Sequence, residues 1–203
     1  MSNDTTSQPG RDQPARKSGA TDFTDILREI EIVSDHERRT AFRAVDGRSG
    51  RPVFVKALSE KFRSDHGAIG LFWQEAITLL DFDPSAANCP VIPVHEVGEW
   101  KGLPCMVQPR LNGWSLSQAM RTRAQFSAAS TTRFFHKALE ALAAVHDKGY
   151  VHNDISPENI FIVTDEPPAT DGVMPERFEV KILDFESAQK IDPENKHKRA
   201  ILT

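Results

Sequence analysis

The 203-residue sequence predicts an α+β chain in two parts, a small sheet carrying one helix and then a more helical part. Three observations predict it. Short apolar runs of strand length, separated by glycine-containing turns, fill residues 41–58 and 90–108. Apolar residues recur at helical spacing over 69–80 and again over 135–146. Beyond the second helix, a polar loop, His152-Asn153-Asp154-Ile155-Ser156-Pro157-Glu158-Asn159, interrupts two apolar stretches.

Residues 1–21 contain no aromatic and no branched aliphatic side chain, so they are expected to form a disordered tail. Ala41–Val45 and Pro52–Leu58 read as two strands around the turn Asp46-Gly47-Arg48-Ser49-Gly50. Ile69, Phe72, Trp73, Ala76 and Leu80 mark a helix. Pro90–Val97 and Leu103–Gln108 read as two further strands joined through Gly98-Glu99-Trp100-Lys101-Gly102. After Asn112-Gly113 the pattern turns helical, with Phe135, Leu139, Leu142 and His146 on one face and Gly149 closing the helix. Ile160–Val163 and Phe178–Leu183 then form a hairpin with a long connection holding three prolines. The units expected are the tail (1–21), a sheet lobe (22–109) and a partial helical lobe (110–203).

Composition excludes several classes. A net charge of −4 gives no reason to expect nucleic acid. No stretch reaches the length of a membrane span, and no membrane partner is expected. The two cysteines, Cys89 and Cys105, do not make a disulfide framework or a metal cluster, which fits a reduced, cytoplasmic setting.

Taken singly, the charged residues are unexceptional. A lysine on a strand is usually a solvated edge charge, a glutamate on a helix a surface residue, and Asp or Asn in a loop often only caps a turn. Taken in order they resemble the eukaryotic-type protein kinase family, particularly bacterial serine/threonine kinases, over roughly residues 24–203. Val53-Phe54-Val55-Lys56 matches the family's Val-Ala-Ile-Lys, His152 to Asn159 its catalytic loop, and Asp184-Phe185-Glu186 its Asp-Phe-Gly.

The resemblance implies a bilobal kinase-like fold with Mg-ATP between the lobes. Lys56 would hold the α- and β-phosphates, and Glu75 would orient it. Asp154 would accept the proton of an attacking hydroxyl, with Asn159 and Asp184 as the Mg2+ ligands. The adenine would lie among Ala41, Phe54, Gln108 (as gatekeeper) and Phe161, meeting the backbone of Pro109 and Leu111. His152 is structural in this fold. The implied partner is a protein substrate phosphorylated on Ser or Thr.

Departures from the family pattern open two alternatives. Ser34-Asp35-His36-Glu37-Arg38-Arg39-Thr40 lacks the glycines that let backbone amides approach phosphates. Its acids would repel phosphate, and Arg38 and Arg39 would offset part of that. Phe54 is larger and Ala41 smaller than the family's residues, so the adenine roof is expected to be reshaped. Asn153 stands where many members have the Arg that pairs with a phosphorylated activation loop. Ser156 replaces a Lys, and Glu186 a Gly. The first alternative is a pseudokinase that binds ATP as a regulatory ligand. The second is a small-molecule kinase of the choline or aminoglycoside type, which shares His-Asn-Asp with Asp-Phe-Glu. The chain stops within the expected activation segment, as a fragment of a longer polypeptide or a shortened relative would.

Overall fold

The computed structural model describes residues 20–86, 89–121, 127–165 and 177–191. Most of the expected tail lies outside them. At its end Thr21–Asp22 forms β1, a strand that pairs in parallel with Gly98 and Glu99. Only glycine allows that approach, because a Cβ on Gly98 would lie 2.1 Å from the Thr21 carbonyl oxygen.

Five more strands complete the first sheet: β2 (Leu27–Asp35), β3 (Arg39–Asp46), β4 (Pro52–Leu58), β5 (Glu96–Trp100) and β6 (Leu103–Pro109), in the order β1-β5-β6-β4-β3-β2. The β3–β4 turn is held by the Asp46 carboxylate, which accepts the Arg48 amide at 2.8 Å, and by Gly50 at φ 68°. Side chains alternate across β4. Val53, Val55 and Ala57 enter one core with Phe23, Phe42 and Val107. Phe54, Lys56 and Leu58 consequently face the other way. On that side packs α1 (His66–Leu80), started by Asp65, whose carboxylate accepts the Ala68 amide at 3.0 Å.

The strand expected over Pro90–Val97 is corrected. Pro90 and Pro93 lack the N–H a ladder needs, and Val91 makes only an isolated bridge to Ile182. The strand begins at Glu96 and runs to Trp100, leaving Lys101 and Gly102, at φ 53° and 68°, as a two-residue hairpin turn.

The second part opens with a short strand, β7 (Gly113–Ser115), before α2 (Leu116–Arg121) and α3 (Ala128–Asp147). β8 (Tyr150–Val151) leads into the polar loop. β9 (Ile160–Val163) and β10 (Glu179–Ile182) form the expected hairpin, with β7 added on the other edge of β9; β11 (Gln189–Lys190) returns to pair with β8. Most of the hairpin's proline-rich connection falls outside the described residues.

The buried stripe of α3 also differs from the expected one. Phe134, Ala138, Ala141 and Val145 are buried, whereas Phe135 and Leu139 are exposed. Apolar side chains occupy two adjacent stripes of this helix, and packing against the hairpin selects the narrower one. On α1, likewise, Leu79 is buried and Leu80 exposed. The second core joins Phe72 and Met106 to Val145, Ile162, Ile182 and Phe185, so it runs continuously from α1 to the hairpin beneath the polar loop.

Candidate functional site

Lys56 reaches the site from β4 and Glu75 from α1. Their side chains meet at 3.0 Å between Nζ and Oε1, with Glu75 fully buried. A buried carboxylate is held only if paired, and Glu75 has a second cation as well: Arg39 of β3 donates from Nη1 to its other oxygen. The same Nη1 lies 3.5 Å from Asp184 Oδ1, and Nη2 lies 2.9 Å from Glu186 Oε2. Arg38 adds a 3.3 Å contact to Glu186 Oε1. The two arginines of the glycine-free turn therefore engage protein carboxylates.

The polar loop is fixed through His152. Its ring is buried, stacks edge-on against Phe185 with centroids 4.8 Å apart, and accepts the Asp154 amide at Nδ1 (3.2 Å). The proton is thereby placed on Nε2, which donates to the Leu183 carbonyl at 2.8 Å. Asn159 donates from its amide to the Asp154 carboxylate at 3.0 Å and to the Asp154 carbonyl at 3.0 Å, leaving its own Oδ1 uncommitted by those bonds. Its backbone carbonyl accepts the Leu183 amide at 2.8 Å. Asp154 and Asn159 are thus bonded directly, and Asp184 is tied to them through its neighbour Leu183. Asn153 (φ 65°) and Asp184 (φ 58°) adopt the left-handed conformation that Asn and Asp tolerate best among non-glycine residues.

A cavity of about 450 Å³ lies against these groups. Lys56 and Asp184 line its inner end, and Ala41 and Phe54 its sheet wall. Gln108, Pro109 and Leu111 line the side where β6 leaves the sheet, with Phe161 of β9 opposite. The enlarged Phe54 therefore coexists with open space. Gln108 is buried, and its amide donates to the Ile92 carbonyl at 2.9 Å, which fixes its rotamer. Asp154, Asn159 and Glu75 are not among the residues that line this cavity.

Sequence reasoning passed over Glu158, Gln118 and Arg43, which also line the cavity. The Ser117 hydroxyl, donating to Glu158, holds that carboxyl below its ordinary range. It also missed the reach of Arg39. The signal was present: Arg39 lies in a segment where glycines were expected, and Glu186 stands at a position where one was expected.

The donor set suits a hard cation that keeps most of its water. Magnesium takes one or two protein oxygens and completes its shell with water and phosphate. The Asp184 carboxylate and Asn159 Oδ1 are such oxygens, and among the described residues no larger cluster of metal-ligating side chains occurs. No helix among the described residues is long and apolar enough to cross a membrane.

Comparison with known proteins gives one family. The profile of the protein kinase domain matches residues 20–203. Curated relatives include the probable serine/threonine-protein kinase pknA2 of Bifidobacterium longum, 31% identical over 138 residues, covering 66% of this chain and 18% of that protein. The serine/threonine-protein kinase PknL of Mycobacterium tuberculosis is 28% identical over 126 residues, covering 62% of this chain and 31% of that protein. PknA of the same species is 31% identical over 157 residues, covering 74% of this chain and 32% of that protein. The chain spans less than a third of the length of each of these relatives.

Proposed function

This chain belongs to the protein kinase domain family, and on that premise we propose that it binds Mg-ATP in the cavity beside Lys56 and transfers the γ-phosphoryl group to serine or threonine of a protein. The observation that supports this most is the Lys56–Glu75 pair, set at the inner end of a cavity that Asp184 also lines. Lys56 presents an ammonium to the α- and β-phosphates, oriented by Glu75. Ala41 and Phe54 on one side and Phe161 on the other would receive the adenine, against the backbone of Pro109 and Leu111. Proline suffices at 109 because only its carbonyl is used. Asp184 and Asn159 would hold the Mg2+, whose charge would offset that of the phosphates when bound. Asp154 takes the proton of the attacking hydroxyl, and the Asn159 amide keeps its carboxylate oriented for that task.

The relatives' names, all serine/threonine-protein kinases, support a protein substrate over a small alcohol. Two free, buried cysteines suit a reducing, cytoplasmic setting; burial pushes the Cys105 thiol up to about 12, which keeps it protonated and unreactive. The glycine-free segment Ser34–Thr40 favours a second reading, an ATP-binding module without transfer.

Calorimetric titration with Mg-ATP, followed by transfer of radiolabel to mixed protein substrates and to a panel of amino alcohols, tests the proposal. Binding with protein labelling is expected. Asp154→Asn should lower transfer by about 10²–10⁴-fold with nucleotide affinity nearly unchanged. Binding without transfer would establish the second reading, and folded protein that ignores Mg-ATP would overturn both.

A further inference from the structure

Two departures from the family pattern, Arg39 and Glu186, lie 147 residues apart in sequence and meet in space. Arg39 lies in the segment that lacks the expected glycines, Glu186 replaces an expected glycine, and each explains the other. The Arg39 guanidinium is largely buried; it rests 5.9 Å above the Phe72 ring of α1 and faces three carboxylates, those of Glu75, Asp184 and Glu186. Its base is fixed as well. The Arg39 carbonyl accepts the His36 amide at 2.9 Å across the β2–β3 turn, and Arg39 pairs with Leu58 on β4.

Without Arg39, three acids would converge on a site where Lys56 is paired with only one of them. A planar fork with five N–H donors can serve several carboxylates at once, which a lysine ammonium at the end of a flexible stem cannot do with the same geometry. One side chain therefore joins the β2–β3 turn, α1 and the turn carrying Asp184. Asp184 needs such support, since its left-handed backbone is strained for a non-glycine residue and persists only where its surroundings hold it. Asn153 ties the polar loop to the same turn, donating to the Ser187 carbonyl at 3.0 Å.

We infer that Arg39 and Glu186 form a built-in positioning clamp, which holds Glu75 and Asp184 in the arrangement that receives Mg-ATP without requiring any modification of the segment that follows Asp184. The clamp rests on the nucleotide-binding reading above for its purpose, but its mechanical claim stands in the nucleotide-free chain. Arg39 takes no part in bond making; it acts through Glu75 and Asp184. Glu186 adds the arm that crosses from the metal-side turn to the β2–β3 turn, and Arg38 reinforces it from outside.

Hydrogen–deuterium exchange on the full chain without nucleotide separates the clamp from the function. Arg39→Ala should raise exchange in both 66–80 and 184–190, on the order of tenfold, while Ile160–Val163 stays protected. Glu186→Gly, a milder change, should raise exchange in 184–190, and the double variant should resemble Arg39→Ala alone because the two residues act as one unit. Arg39→Lys should rescue little, since charge without the fork does not bridge three acids. In phosphoryl transfer, Arg39→Ala and Glu186→Gly should lower kcat by about 10² and about tenfold respectively, with KM for Mg-ATP changed far less. Unchanged exchange in both segments would overturn the clamp, as would Glu186→Gly or Arg39→Ala protein that turns over faster than the parent, which would make the pair an obstruction. If the parent chain ignores Mg-ATP yet the exchange pattern is as expected, the clamp stands and the proposed function falls.

Discussion

Glu75 is the residue on which the charge balance of the site turns. It is the most completely buried acid among the described residues, and both of its oxygens carry a cation, Lys56 on one and Arg39 on the other. Removing one partner of a buried pair costs more than the pair itself contributes, because the remaining charge is stranded. The two sides of this pair are not equivalent. Glu75→Gln leaves two cations facing each other and should cost about 3 kcal/mol of stability. Lys56→Met leaves Glu75 still bonded to Arg39 and should cost less than half as much. Urea melts of the two variants check this, and equal losses would mean that Arg39 contributes nothing to holding Glu75.

At the scale of elements, α3 shows how a helix with two apolar stripes chooses between them. Phe134 is 4% exposed and its neighbour Phe135 is 58% exposed. Deleting a buried aromatic ring forfeits its transfer energy and leaves a cavity, so Phe134→Ala should destabilise by about 3–5 kcal/mol. Phe135→Ala should change stability by less than about 0.5 kcal/mol. Denaturant midpoints of the two variants give the answer directly, and a larger loss for Phe135 would mean that the other stripe is the packed one. β4 offers the complementary lesson: strict alternation sends Val53, Val55 and Ala57 into one core and thereby turns Phe54 and Lys56 toward the cavity.

For the whole molecule, some of the exposed apolar side chains share a helix face. Phe135 and Leu139 stand one helical turn apart on α3, and Ile77 and Leu80 lie near the end of α1. Apolar side chains left exposed on helix faces recruit a partner or drive self-association where they form a patch. The 203-residue chain is therefore expected to bind an apolar-surface dye and to sediment as more than a monomer, and Phe135→Ser with Leu139→Ser should reduce both. A dye-silent, monodisperse monomer would overturn this expectation.

Much of the molecule was legible in its residues. The β3–β4 hairpin, the lysine and glutamate nineteen positions apart, the polar loop and the β9–β10 hairpin all follow from local pattern, because strand alternation, turn chemistry and motif spacing are properties of short segments. What the tertiary structure decided is non-local or finely balanced. Helical periodicity places an apolar stripe only to within a residue, since neighbouring positions differ by about 100° of rotation, so packing alone settled Phe134 over Phe135. Pro90 and Pro93 sit in an apolar run that reads as strand until the missing N–H groups are counted against an actual ladder. The convergence of Arg39 on Glu75, Asp184 and Glu186 spans separations of 36 and 145 residues to the first two. Such a meeting depends on where the chain folds back, which no local pattern encodes. The sequence therefore determined which chemical groups this protein carries, and the fold determined that its unexpected arginine and its unexpected glutamate answer one another.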